Sequence, residues 1–297
     1  VRARRPMPGL DYDPWSRSAA REIEVLSCVS HAHVISLVDH CVAQGGSTFV
    51  SVYPYMAWDL ATVLERRLPL EEGSAKAALR MLLLGLAHLH ALSIMHRDLK
   101  PANLLVEGVT GVLRIADFGS SRLLAPSLSA AQGGERRSAV AEDDKGAADK
   151  DLSPRSPAGR GGEEGSMTRD VCTRWYKSPE MLFGSVDYTS AVDLWATGCV
   201  LAELLSPAGK AIFPGGADLE QLCFIFQTLG TVREEEWPEV RRLPDYSKVE
   251  FAPRPPQKLD WEEQRSPSAV ALMYRLLRLN PASRIAASAA LEDACFA

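Results

Sequence analysis

The sequence predicts an α+β fold in which a small β-rich part leads into a larger helical part. Three observations carry this. Residues 34–55 hold branched and aromatic residues in strand-like runs, residues 72–92 hold a long helical pattern apolar nearly all round, and further helical patterns fill residues 190–294. With 297 residues, 46% apolar and 24% charged, the chain can bury a substantial core as one large or two modest domains.

In chain order, Ser18 to Val29 places Ala20, Ile23 and Leu26 at helical spacing. Val34 to Val42 and Thr48 to Tyr55 read as strands. Glu72 to Leu92 reads as a helix buried on most faces through Leu79, Leu82, Leu83, Leu86 and Leu89. A short strand pair follows, Asn103 to Val106 and Val112 to Ala116, joined by a glycine-containing turn. From Leu123 to Ser166 there is no aromatic residue, and small residues, proline and mixed charge dominate. Such a stretch cannot bury enough apolar area to offset the entropy of ordering, so a disordered loop is expected. Beyond it, Ser190–Leu205, Leu219–Leu229, Ala269–Leu279 and Ala286–Ala294 read as helices with proline-rich connections.

Composition excludes several classes. Lys plus Arg total 33 against 38 for Asp plus Glu, a formal charge of -5, so no general excess of cation exists to neutralise a nucleic-acid backbone. The longest strongly apolar stretch, Met81 to Leu92, is about half of what a membrane span needs, and no membrane role is expected. Six scattered cysteines without a C-x-x-C pair fit thiols in a reducing compartment. The histidines reach no zinc spacing with them. The opening Val-Arg-Ala-Arg-Arg, followed by proline and acid, does not read as a signal peptide, and a start at Val1 leads us to expect further sequence upstream. An intracellular location follows as the default.

The chemistry concentrates in His96-Arg97-Asp98-Leu99-Lys100-Pro101-Ala102-Asn103, between the long helix and the strand pair. Asp98 supplies a carboxylate to orient a hydroxyl, Lys100 a cation for a transferring phosphoryl group, and Asn103 an amide oxygen for a metal. At the end of the next strand stands Asp117-Phe118-Gly119, where Asp117 can bind magnesium and Gly119 permits a backbone pivot. The two motifs in this order and strand context make a chance match remote.

This set resembles the eukaryotic protein kinases. Ser178-Pro179-Glu180 resembles the family's A-P-E, Asp193 the helix aspartate that supports the catalytic loop, and Arg284 the arginine that pairs with the A-P-E glutamate. Lys100 is similar to the serine/threonine branch. Ala19–Ile23 resembles the helix that cyclin-dependent kinases present to their cyclin, and Thr173–Glu180 their T-R-W-Y-R-A-P-E. The segments Leu229-Gly230-Thr231, Trp237-Pro238-Glu239 and Leu243-Pro244-Asp245-Tyr246 are similar to the insert of that group. The last of these, with Arg284–Ser288, looks most like the cell-cycle-related kinase branch linked to cilia.

The resemblance implies a bilobal protein-kinase fold over residues 1–297: a truncated β-rich lobe and hinge at 1–56, then a helical lobe at 57–297 with an activation-segment insertion at about 123–166. It implies a serine/threonine protein kinase that moves the γ-phosphate of ATP with Mg2+, at Ser/Thr-Pro sites of protein substrates. Asp98 is then the catalytic base, Lys100 stabilises the γ-phosphate with Thr173 bridging toward Asp98, and Asn103 and Asp117 hold magnesium. Leu105 floors the adenine pocket, and Tyr53 to Met56, with Tyr53 as gatekeeper and Tyr55 and Met56 in the hinge, read adenine. Glu22 is the ion-pairing glutamate. Thr168 is the activating phosphosite, with Arg21, Arg97 and Arg122 converging on its phosphate. A cyclin-like activator and an upstream activating kinase are the implied partners, in cytoplasm, nucleus or cilium.

The pattern departs from the family in places. The sequence from Val1 onward leaves no room for a glycine-rich loop, and ungapped counting from Glu22 puts Arg4 where the ATP-binding lysine belongs, while a one-residue gap puts Arg5 there. Arginine keeps the charge but not the compact ammonium. Lys177 replaces an arginine that shapes the proline preference, and Ser120 and Ser121 replace leucine and alanine. The glycines from 159 to 165 follow no strand and sit beside Glu163 and Glu164, so they do not read as a phosphate loop. A pseudokinase acting as an interaction module, or an incomplete gene model, stays open as the alternative.

Overall fold

A computed structural model describes residues 14–42, 49–66, 70–124 and 174–297. Helix α1 spans Pro14–Cys28, and proline is tolerated in its first turn because no intrahelical N–H is lost there. Val25 and Leu26 face the core, while Ala20, Glu24, Ser27 and Cys28 are exposed. The chain then runs extended through Val34 and Ile35, both buried. The run expected as a strand from Val34 is regular only at Asp39–Val42 (β1), because Val34 and Ile35 turn inward instead. They pair with Ile115: Ile35 N–H donates to the Ile115 carbonyl at 2.9 Å, and Ile115 N–H donates to the His33 carbonyl at 3.0 Å.

β2 (Phe49–Val52) pairs antiparallel with β1, Cys41 opposite Val50. It stops short of Tyr55 because Pro54 has no N–H to give a ladder. Two elements without a sequence signal follow, β3 (Trp58–Asp59) and α2 (Leu60–Glu65). Asp59 starts that helix by accepting the Thr62 N–H at 2.8 Å. Helix α3 (Glu72–Ala91) is the expected long helix, with Leu79, Leu82, Leu83, Leu86 and Leu89 all buried. Gly85 lies against the extended segment so closely that a Cβ there would meet the His33 carbonyl oxygen at 2.8 Å.

Four short strands then frame the loops that matter. β4 (Ile94–Met95) pairs with β7 (Arg122–Leu123), and β5 (Leu104–Val106) sits between β3 and β6 (Leu113–Ile115). Leu123 therefore pairs with Ile94 and is not part of a structureless loop. The Leu124 N–H likewise donates to the Ser93 carbonyl at 2.7 Å, and the remainder of the expected disordered stretch, from Ala125 to Ser166, lies outside the described residues, as do Arg4, Thr168 and Thr173.

The larger part is built on α5 (Ala191–Leu205), all fifteen residues of which are buried. Helices α3 and α7 (Pro267–Leu276) pack on it, and the short α4 (Pro179–Leu182) packs on α6 (Asp218–Leu229). Helix α7 ends three residues before the expected Leu279, and the final pattern yields one turn only, α8 (Ala287–Ala290). Glu234 accepts from Arg241 and Tyr246 and ties together part of the segment between α6 and α7.

Candidate active site

The site is hung from a carboxylate inside the core. Asp193, in the first turn of α5, is 1% exposed. Its Oδ2 accepts the His96 N–H at 2.9 Å and lies 3.0 Å from His90 Nε2, and its Oδ1 accepts the Arg97 N–H at 2.8 Å. Burial alone would raise its pKa. The hydrogen bond and charge of His90, with the nearby His96 and the Arg97 N–H, outweigh burial and hold the carboxyl below its ordinary value. The two N–H bonds also sustain Arg97 at φ 71°, a left-handed conformation that costs a non-glycine residue about 1–2 kcal/mol.

That bend presents Asp98. Its Oδ2 receives Lys100 Nζ at 2.8 Å and lies 3.3 Å from Asn103 Nδ2, which also donates to the Asp98 carbonyl at 2.8 Å. With its nitrogen so engaged, the Asn103 amide leaves its oxygen for another ligand. The Ala116 N–H donates to the Asn103 carbonyl at 2.9 Å, which sets Asp117 beside Asn103. Asp117 is itself left-handed at φ 64°. His96 closes the arrangement: Nδ1 accepts the Asp98 N–H at 3.3 Å, Nε2 donates to the Ala116 carbonyl at 2.9 Å, and the ring meets buried Phe118 edge-on. Ser121 Oγ donates to the Phe118 carbonyl at 2.6 Å, so the serine at that position braces the same turn.

Helix α1 packs directly on this turn. A Cβ on Gly119 would meet Ser18 Oγ, and Arg21 Nη1 donates to the Gly119 carbonyl at 2.8 Å. Arg97 Nε donates to the next carbonyl, Ser120, and its Nη1 donates to the Tyr188 hydroxyl at 3.2 Å. Arg122 follows two residues later with an exposed side chain. The three arginines thus come from separate elements to one turn.

Glu22 reaches inward from α1. Burial raises its pKa, and the Asp117 carboxylate adds to this, while the Tyr53 hydroxyl and the Phe118 N–H oppose it. The Tyr53 hydroxyl lies buried beside Glu22 and Ser51 without a well-formed hydrogen bond, and burial pushes its pKa up to about 12. Leu105 and Met56 pack with Tyr53 against the core, whereas the Tyr55 side chain is 88% exposed, which leaves only its backbone to face this region. The Asp98 and Asp117 carboxylates and the Asn103 amide oxygen form a set of hard oxygen donors of the kind that suits a divalent cation.

On the opposite side, the segment after residue 173 is fastened to the larger part. Arg174 donates to Asp218 at 2.7 Å and to the Gly216 carbonyl at 2.9 Å, and Gln221 donates to the Trp175 carbonyl at 3.1 Å. Tyr176 donates to Glu203 at 2.6 Å, and Arg284 binds Glu180 through both guanidinium nitrogens at 2.6 and 2.7 Å. Sequence reasoning missed His90 and Tyr188. No local spacing marks either, since their partners lie 103 and 91 positions away.

Comparison with known proteins agrees with this geometry. The protein kinase domain family model matches residues 10–141 and 151–296. Cyclin-dependent kinase 20 of Homo sapiens is 37% identical over 281 residues, covering 94% of this chain and 70% of that protein. Cyclin-dependent kinase 7 of Xenopus laevis is 37% identical over 286 residues, covering 96% and 69%. A chain of the crystal structure of the yeast RNA Pol II CTD kinase CTDK-1 complex superposes with a TM-score of 0.72 at 26% identity, covering 93% of this chain and 79% of that one. The α+β architecture is that of the bilobal kinases, and the chain belongs to the protein kinase family, as a serine/threonine kinase of the cyclin-dependent type.

Proposed function

We propose that this kinase transfers the γ-phosphoryl group of ATP to serine or threonine hydroxyls followed by proline, under the control of a cyclin-like partner and an upstream kinase. The observation that carries the reading is the Asp98, Lys100 and Asn103 cluster, closed within 3.3 Å and hung from Asp193.

Protein kinases use ATP and Mg2+ generally, and the residues here fit both. The Asn103 amide oxygen and the Asp117 carboxylate would hold the magnesium ion, which when bound neutralises charge on the phosphates. The remaining work falls to the chain. Asp98 accepts the substrate hydroxyl's hydrogen bond and aligns its oxygen. Lys100, held on Asp98 in this structure, lies where its ammonium can pass to the transferring phosphoryl group. Leu105 and the Tyr53–Met56 segment border the adenine, and Glu22 is the carboxylate that would pair with the ATP-binding cation. Positioning and charge supply most of the rate, since phosphoryl transfer asks for little covalent chemistry.

Regulation follows from the turn at 119–122. Arg21, Arg97 and Arg122 gather around it, and a phosphate on Thr168 would receive their charge-assisted bonds. The exposed face of α1, with Ala20 and Glu24, supports a cyclin-like partner there. Lys177 lacks arginine's bidentate fork, so the preference for proline is softened.

The test uses the protein purified from eukaryotic cells, so that its activators accompany it. With Mg2+ and labelled ATP it should label a Ser-Pro peptide faster than its Ser-Ala counterpart, and Asp98→Asn should abolish both. ATP binding without any transfer in the activated protein would instead support an interaction module.

A further inference from the structure

Arg97 stands immediately before Asp98, and its two ends are held by different means. Its backbone N–H is bound by Asp193, in the first turn of α5. Its guanidinium meets the Ser120 carbonyl and the Tyr188 hydroxyl, the latter at 3.2 Å and partly buried. Tyr188 lies just ahead of α5, where Thr189 accepts the Ala191 N–H through Oγ1 at 3.3 Å and the Val192 N–H through its carbonyl at 3.2 Å. A few residues earlier, Glu180 is locked to Arg284. Backbone and side chain of Arg97 are thus both referenced to the start of one buried helix.

From this juxtaposition we infer that Tyr188 is a positioning residue for phosphoryl transfer: its hydroxyl aims the Arg97 guanidinium at the Ser120 carbonyl, which keeps the Asp117 turn in register with Asp98. The inference rests on Asp98 acting as proposed above. Arg97 reaches across from the loop that carries Asp98 to the turn that carries Asp117. A long, flexible side chain does this reliably only when its planar head is fixed at more than one point. Without the hydroxyl, the head keeps only Ser120 among the described residues, and the two loops lose part of their mutual alignment. A misplacement of this kind lowers turnover without changing what binds.

Tyr188→Phe removes one oxygen and keeps the ring. A bond from a charged donor is involved, so kcat should fall roughly tenfold while KM for ATP and peptide changes less than about twofold. In an Arg97→Ala background the same substitution should have no further effect. A separate readout does not depend on turnover: the Arg97 Nε–H resonance in a 15N spectrum, assigned by its loss in Arg97→Lys, should shift or broaden in Tyr188→Phe. An unchanged resonance, an unchanged kcat, or an equal loss in the Arg97→Ala background would each overturn the inference. Asp98→Asn is the control for the underlying reading, because turnover surviving it removes Asp98 from its role while the resonance still judges Tyr188.

Discussion

Glu203 offers the sharpest quantitative test of how the substrate side of the site is built. It lies in α5, 8% exposed, with the Tyr176 hydroxyl donating to it at 2.6 Å. Burial raises its pKa to about 7 from an ordinary 4.5, and the Tyr176 bond only partly opposes this. Between these two values the folded protein keeps a proton that the unfolded chain has released, so stability falls as pH rises through the window. At about 1.4 kcal/mol per pH unit, the ionised carboxylate costs about 3 kcal/mol above pH 7, and nothing below 4.5. Glu203→Gln retains an oxygen to accept from Tyr176 and removes the charge. Urea unfolding followed by tryptophan fluorescence should find the variant close to the parent at pH 5 and more stable by about 3 kcal/mol at pH 8. If the difference between the two proteins is the same at both pH values, the carboxyl is not held protonated by its surroundings and the reasoning fails.

Two further outcomes are expected. Gly85→Ala would place a methyl 2.8 Å from the His33 carbonyl oxygen and from Ile115 Cδ1; overpacking against backbone should outweigh the gain in helix propensity, for a net loss of about 1–2 kcal/mol measured by thermal unfolding. His31 Nδ1 accepts the His33 N–H at 3.1 Å and its ring stacks on His88, with burial first and then His88 and His33 lowering its pKa. Below pH 6.5 the unfolded chain takes up a proton that this ring resists, so stability should fall as pH drops from 6.5. His31→Asn, which retains an acceptor, should flatten that fall, and a slope left unaltered would exclude His31 as its source.

The catalytic cluster was legible because its members are close in sequence. Asp98, Lys100 and Asn103 lie within one loop, so their spacing alone predicts their meeting, and the structure closes them within 3.3 Å. Asp117 could be placed because it ends a short strand of recognisable pattern. Helices α3 and α5 were legible from their apolar positions, which repeat over many turns. Strands of two residues such as Ile94–Met95 and Arg122–Leu123 show no period at all, and the one-turn α4 and α8 are little better. Tyr53 illustrates the other limit: its chain position is evident, but that its hydroxyl lies buried beside Glu22 depends on how α1 sits on the 118–120 turn. His90 and Tyr188 were invisible because long-range partners leave no trace in spacing.

The suspension of the loop from Asp193 bears on how the protein opens. His96 and Arg97 are loop residues, yet their amide hydrogens are bonded to a carboxylate within a wholly buried helix. These amides should exchange with solvent deuterium as slowly as those of α5, through global opening and not loop fraying. Helix α1 is secured differently, by Arg21 on a carbonyl and by apolar contact. The amides that hold the loop carrying Asp98 should thus open with a wholly buried helix, whereas opening of α1 would release the Gly119 carbonyl and loosen the turn that carries Asp117.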